Sequence, residues 1–233
     1  MANIDLKLTA RVEEIREPYR PVSHPLHFDL AEIKKNFDEG LSGIEKQHQT
    51  ASILYNNGQI EECQNIWRSE VVFLEGILDF FIHEISKYTL YEMFEGQRNK
   101  SDKYYTIKIP MSEVETAYSN MSSKEWFFSY LNQEMSREVY LSADSMKDQL
   151  NEIGIPFNEV MQKAFPDNNV NASIRRGKEI VREMFDRRNR IVHQNDRDHA
   201  SAVRTTITEE IVQTYKNNIC KIVYTICDMV SET

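Results

Sequence analysis

With 233 residues, 40% of them hydrophobic, the chain can bury one substantial core but is not expected to form two independent domains. Its seven Gly and six Pro are too few for the many tight turns of a strand-rich fold, so an all-α protein is expected. A formal net charge of -9 excludes a protein that coats nucleic acid non-specifically, because phosphate affinity comes chiefly from clustered Lys and Arg.

Residues 3–17 read as a short helix, and Pro18, Pro21 and Pro25 then impose an irregular arm carrying His24 and His27. Neither histidine has a neighbouring ligand set with metal geometry, and both are read as packing or surface residues. Residues 1–29 thus form an N-terminal helix and Pro-rich arm, with a helical domain over 30–233. A helix from Leu30 to Tyr55 stops at Asn56-Asn57-Gly58, and a second, the longest and most apolar, runs from Gln59 to Glu95. Val71, Leu74, Leu78, Phe81, Ile82 and Ile85 make its core stripe. Glu75 sits at the stripe's edge and is expected to be partly buried and to want a cationic partner. Asp79 and His83 point away, which makes His83 a surface histidine.

Residues 97–172 differ in character and read as a mainly helical insertion between the second and third long helices. Tyr104 to Ile109 is a candidate extended segment, and Ser112, Ser122 and Ser142 are candidate helix caps. Trp126, Phe127, Phe128 and Tyr130 suggest base stacking at first sight, but adjacent aromatics on a short helix are expected to be core. The last two helices are predicted from Ser173 to Gln194 and from Thr205 to Val230, the latter with a bundle-type seam from Ile211 to Met229. Cys63, Cys220 and Cys227 suggest neither a disulfide framework nor a zinc site, and no metal or cofactor is expected. With no apolar run of membrane-spanning length and no signal-like N-terminus, a cytoplasmic protein without a membrane partner is predicted.

The most informative stretch is Arg188-Asn189-Arg190-Ile191-Val192-His193. An imidazole takes or gives a proton near neutral pH, and a guanidinium neutralises charge gathering on a phosphate. An Arg-Asn-x-x-x-His arrangement is expected only about 0.03 times by chance in a chain of this composition. From Arg175 to Arg190 seven basic residues, among them Arg182, Arg187, Arg188 and Arg190, meet three acidic ones, a net +4 inside an acidic protein. A solvated helix face with i,i+4 pairs explains the same run.

At 100° per residue Arg188 falls near the middle of the apolar stripe formed by Ile174, Val181, Met184, Phe185, Ile191 and Val192. Asn189 and His193 share the neighbouring face, one turn from a helix end at Asn195-Asp196. Arg188 and His193 lie about 140° apart, so one chain does not aim both at one point. A bend at the helix end or a two-fold dimer sharing a cleft would bring them together, and the dimer explains more. A purely structural alternative pairs Arg188 with Glu75 and leaves His193 to cap the helix C-terminus.

Arg188-Asn189-x-x-x-His193 on the third long helix, followed by a final amphipathic helix, resembles the Arg-x4-His signature of the HEPN superfamily of helical RNases. Val72-Phe73-Leu74-Glu75 resembles the acidic position of its second helix, and residues 187–195, RRNRIVHQN, are similar to the RiboL-PSP type and related bacterial members. The similarity covers about 30–96 and 173–231, with 97–172 outside it. It implies a HEPN-like four-helix bundle, usually a homodimer, with a metal-independent endoribonuclease centre at the dimer cleft. On this resemblance His193 is general base and acid, Arg188 stabilises the scissile phosphate, Asn189 orients it, and Glu75 holds the arginine or tunes the histidine. Arg187, Arg190 and Arg182 would contact the RNA substrate. The products would be a 2',3'-cyclic phosphate or 3'-phosphate and a 5'-hydroxyl. Many such proteins are toxins of toxin-antitoxin or phage-defence systems, which implies a cognate antitoxin or defence partner. The tyrosine two residues after the motif histidine in toxins silenced by nucleotidyltransferases is Asn195 here, so that silencing is not expected. A non-catalytic HEPN-type module that binds a nucleotide or a protein, and a plain scaffold with an accidental motif, are the competing readings.

Overall fold

The computed structural model describes residues 29–119 and 125–232, and these are helical throughout their regular structure. The expected helix at 3–17, the arm with His24 and His27, and the Ser122 cap lie outside the described residues. The long helices are α1 (Leu30–Asn56), α2 (Ile60–Glu95), α7 (Val170–Gln194) and α8 (Glu209–Ser231). Between α2 and α7 lie α3 (Met111–Ser119), α4 (Glu125–Met135), α5 (Ala143–Glu152) and α6 (Phe157–Ala164). Among the described residues no helix is long and apolar enough to cross a membrane.

Local chemistry sets the helix ends. The Asp29 carboxylate accepts from the Glu32 N–H at 2.8 Å and starts α1. Gly58 and Gly96, both at positive φ, end α1 and α2 where a side chain would be strained. The helix α7 begins at Val170 rather than Ser173, because the Asn169 side chain caps it by accepting from the Asn171 and Ala172 N–H groups. Likewise α8 begins at Glu209 rather than Thr205. Thr208 caps it, while Thr205 is held back by its N–H donating to the Asp196 carbonyl at 2.8 Å. Tyr104 to Ile109 does not form an extended segment. It makes one 3-10 turn, Tyr104–Thr106, since the Thr106 N–H finds the Lys103 carbonyl and the described residues include no strand to pair with it.

The central helix is α2, packed along α1, α7 and α8, while α6 wedges against both α7 and α8. The predicted stripe from Val71 to Ile85 is the floor of the core, each of its residues at most 1% exposed. The α6–α7 contact is close because Gly177 has no side chain: a Cβ there would lie 2.7 Å from Met161 Sδ. Of the insertion aromatics Phe127 and Tyr130 are buried, as expected, with Phe127 stacked on Phe94 at 4.4 Å between ring centroids, while Trp126 and Phe128 are half-buried. His83 is not a surface residue. The stretch before α5 covers it: its ring lies 4.7 Å from that of Tyr140, whose N–H donates to Asp79 Oδ1 at 2.8 Å.

Candidate active site

The site forms where the C-terminal end of α7 meets the middle of α2. Two consecutive left-handed residues, Asn195 and Asp196, turn the chain out of α7, conformations that Asn and Asp tolerate better than other side-chain-bearing residues. Asn195 is the C-cap, its N–H donating to the Arg190 carbonyl. The turn drops the Asp196 carboxylate inward, where it is fully buried.

There it meets two guanidiniums. Arg68 Nε from α2 and Arg187 Nη2 from α7 both donate to Asp196 Oδ2 at 2.9 Å. Arg68 Nη2 also donates to the Thr205 carbonyl of the loop before α8 at 3.0 Å and its Nη1 to the Gln64 carbonyl at 3.2 Å, while Arg187 Nη2 also donates to the Thr206 carbonyl at 2.9 Å and its Nε has no partner among the described residues. Desolvating these charges is tolerable because they are paired and hydrogen-bonded. Arg187 was expected to contact substrate, but it is 8% exposed and committed to this triad. At the start of the stripe, Arg68 is the residue sequence reading passed over. It lies seven positions before Glu75, and a charged residue recurring at that spacing on an apolar face was the available signal.

The neighbouring arginine behaves differently. Arg188 is half-buried, its Nη1 donates to Asn189 Oδ1 at 2.9 Å, and its Nε has no partner among the described residues. Glu75 lies beneath it, 2% exposed, with Oε2 also unpartnered. No ion pair joins them, so the structural Arg188–Glu75 pairing considered from sequence is not formed. Burial pushes the Glu75 carboxyl up to about 8, against the opposing influence of Arg188, and Asp79 adds to the rise. At neutral pH Glu75 is therefore mainly protonated and leaves the arginine's charge uncompensated.

His193 stands in the last turn of α7, exposed, on a face that helical spacing shares with Asn189, Asp186 and Arg182. Arg182 is exposed there, while Arg190 is half-buried with Nη1 3.5 Å from Thr205 Oγ1. Thus Glu75, Arg188 and Asn189 come together, while His193 of the same chain lies about 140° around the helix from Arg188 and is not aimed at the same point. A groove of about 350 Å³ lies between α2 and the end of α7, lined by Arg68, Phe73, Ile191, Val192, Asn195 and Arg204 among others, and none of Glu75, Arg188, Asn189 and His193 lines it. Among the described residues no group of three or more His, Cys, Asp or Glu is placed to hold a metal ion.

A family profile described as RiboL-PSP-HEPN matches residues 30–232. The chain belongs to the RiboL-PSP-HEPN family. No curated protein and no solved structure matches it. The span of this HEPN domain includes residues 97–172, the stretch set apart from the resemblance on sequence grounds, and the all-helical architecture accords with a HEPN fold.

A second buried polar cluster escaped sequence reading. His48 of α1 has Nδ1 2.9 Å from Glu70 Oε2 and Nε2 3.1 Å from Glu209 Oε1, with Gln213 Nε2 also 3.1 Å away. Burial disfavours the charged ring, but the two carboxylates outweigh it and raise the histidine above its ordinary value. This cluster ties the first turn of α8 to α1 and α2. His48 falls on the buried stripe of α1 with Ile44 and Ala51, and Glu70 on that of α2 between Trp67 and Leu74, so each is a polar residue on an apolar face whose partner the spacing does not name.

Proposed function

We propose that this HEPN protein is a metal-independent endoribonuclease that works as a two-fold homodimer. The observation that carries the reading is the half-buried Arg188, held by Asn189 and making no ion pair with the buried Glu75 beside it. A guanidinium so placed has charge to give to an incoming anion.

In this reaction His193 takes the proton of a ribose 2'-hydroxyl, and the 2'-oxygen attacks the adjacent phosphorus. The bond from phosphorus to the 5'-oxygen breaks, and the leaving oxygen is protonated by an imidazolium in the cleft. The products are a 2',3'-cyclic phosphate and a 5'-hydroxyl end. Arg188 neutralises the charge building on the non-bridging oxygens, Asn189 fixes the guanidinium, and Arg182 and Arg190 attract flanking phosphates along α7. Arg187 has only a structural part.

Dimerisation answers the divergence of Arg188 and His193 within one chain. Phe73 and Val192, which line one groove, are 50% and 46% exposed, and Phe80, two turns further along α2, is 53% exposed, an apolar face that a second copy would cover. Gly76, exposed between the two phenylalanines with no neighbour around its Cβ position, leaves room for close approach. A nuclease of this kind has to be restrained in its own cell. A toxin or defence effector held by a partner is the setting we infer, in a cytoplasmic host compartment where RNA is present.

The test is cleavage of total RNA by the purified protein in EDTA, wild type beside His193→Ala, with chemical typing of the new ends. Cyclic-phosphate products that vanish in the variant are expected. Activity that is equal in both, absent, or abolished by EDTA overturns the mechanism and favours a binding module. Phe73→Glu should give a monomer by sedimentation and lose activity with it.

A further inference from the structure

The groove between α2 and the end of α7 has two unlike ends. Phe73 and Val192 at one end belong to the face that a second copy would cover, while Asn65, Asn195 and Arg204 make the other end polar. No carboxylate lines the groove. Arg204 comes from the loop before α8, is partly exposed, and has its guanidinium held between two amides. Its Nη1 donates to Asn65 Oδ1 at 2.9 Å and its Nη2 to Asn195 Oδ1 at 2.7 Å. The buried carboxylate of this region, Asp196, pairs with Arg68 and Arg187 instead. Amide oxygens orient a guanidinium without neutralising it, and each terminal nitrogen keeps a second N–H to give.

The loop that carries Arg204 is fixed by its own bonds. The Asp198 N–H donates to the Val203 carbonyl at 2.9 Å, and Asp198 Oδ1 accepts from the Ala200 and Ser201 N–H groups at 3.0 and 2.8 Å. Arg197 and Arg204 face each other across an isolated antiparallel bridge. Charge favours an anion here: Arg68, which lines the groove, and Arg187 share one aspartate, so their triad stays net positive. From residue 187 to 204 five arginines meet two aspartates, in a chain whose net charge is -9. Along α7, Arg188, Ile191, Val192 and Asn195 recur at three- and four-residue spacing and share a face. Arg188 and Asn195 are about 10 Å apart along the axis, too far for one phosphate to reach both ends and suited to two phosphates of one strand.

We propose that Arg204 binds a phosphate of the RNA strand next to the scissile one, with Asn65 and Asn195 as its positioning residues. The strand passes from Arg188 over the end of α7 to the polar end of the groove, and Phe73 and Val192 remain with the dimer face. Recognition is of backbone charge and carries no sequence preference. The identity of the strand as substrate rests on the ribonuclease reading; the anion chemistry of Arg204 does not.

The experiment is an anisotropy titration of the full chain with a fluorescent single strand of about eight 2'-O-methyl nucleotides, which 2'-hydroxyl attack cannot cleave, from about 50 to 200 mM salt. Saturable binding is expected. Arg204→Gln should weaken it about tenfold and make the slope of log affinity against log salt shallower by about 0.7, the loss of one phosphate contact. Asn65→Asp sets a carboxylate against Arg204 while keeping the brace. It should produce the same two changes with the urea unfolding midpoint unchanged or higher. Absence of saturable binding overturns the proposal, as does wild-type affinity and slope in either variant. An effect of Arg204→Gln with Asn65→Asp silent makes Arg204 a loop brace and overturns it too. Inorganic phosphate at constant ionic strength should displace the strand only weakly; displacement as tight as the strand's own binding assigns a free anion and overturns the strand. None of these measurements needs turnover. Binding through Arg204 without cleavage of RNA defeats the ribonuclease reading alone, and His193-dependent cleavage with binding indifferent to Arg204 defeats this proposal alone.

Discussion

Arg187 and Arg188 are adjacent in sequence yet occupy opposite chemical situations. Arg187 shares the buried Asp196 carboxylate with Arg68, and its Nη2 donates to a loop carbonyl as well. Arg188 sits over a buried carboxyl with which it makes no ion pair, and its charge is left for something else. Burial and positive charge alone do not separate a structural arginine from one poised for an anion. What separates them is whether an ionised partner already sits within bonding distance.

The sharpest way to break the comparison is activity against stability. His193→Ala should lower RNA cleavage by about 10²–10⁴-fold and Arg188→Ala by about 10²–10³-fold, with unfolding midpoints in urea within about 0.5 kcal/mol of wild type. If Arg188→Ala instead unfolds the protein, the two arginines are alike and the comparison fails. Asp196→Ala is expected to act in the opposite sense. It strands two guanidiniums in the interior and should cost about 3–5 kcal/mol in urea denaturation. A loss under 1 kcal/mol would show that the triad does not hold the end of α7.

A smaller effect probes Glu75. Its folded-state value, raised to about 8 from an ordinary 4.5, means the folded protein holds a proton that the unfolded chain has released between those limits. Stability should therefore fall as pH rises through that window, by up to about 1.4 kcal/mol per pH unit from this group. Glu75→Gln should flatten that slope and raise stability at pH 8, as read from urea midpoints between pH 5 and 8. An unchanged slope would mean that Glu75 is ionised and paired, and Arg188 with it. The smallest effect is expected at His48, away from this end of α7. Its raised value means a contribution fully present below about 6.5 and lost as pH rises through the folded value. His48→Gln should abolish that contribution, bringing the variant and wild type closer together in stability as pH rises. A difference that widens with pH would reverse the assigned direction.

Periodicity made the long elements legible. The core stripe of α2 follows from apolar residues at three- and four-residue spacing, and Asn57-Gly58 marks the end of α1 because a left-handed glycine stops a helix. The motif residues were legible too, since their types and spacing are local. His83 was misplaced because its covering residue, Tyr140, comes from a distant part of the chain. The start of α8 was misplaced for a similar reason, with Thr205 tied to Asp196 instead of joining the helix.

By itself, the sequence determined the all-helical class, the core face of α2, the family, and the presence of an arginine, an amide and an imidazole on one helix. These depend on spacing along a single segment, which helical geometry converts directly into faces. Only the tertiary structure decided which arginine turns inward. Helical periodicity puts Arg188 near the middle of the apolar stripe and Arg187 about 100° away, yet Arg187 is the buried one and Arg188 only half-buried. The choice was made by Arg68 and Asp196, 128 residues apart in sequence, whose meeting requires α2 and α7 to be packed before the carboxylate can select its partner.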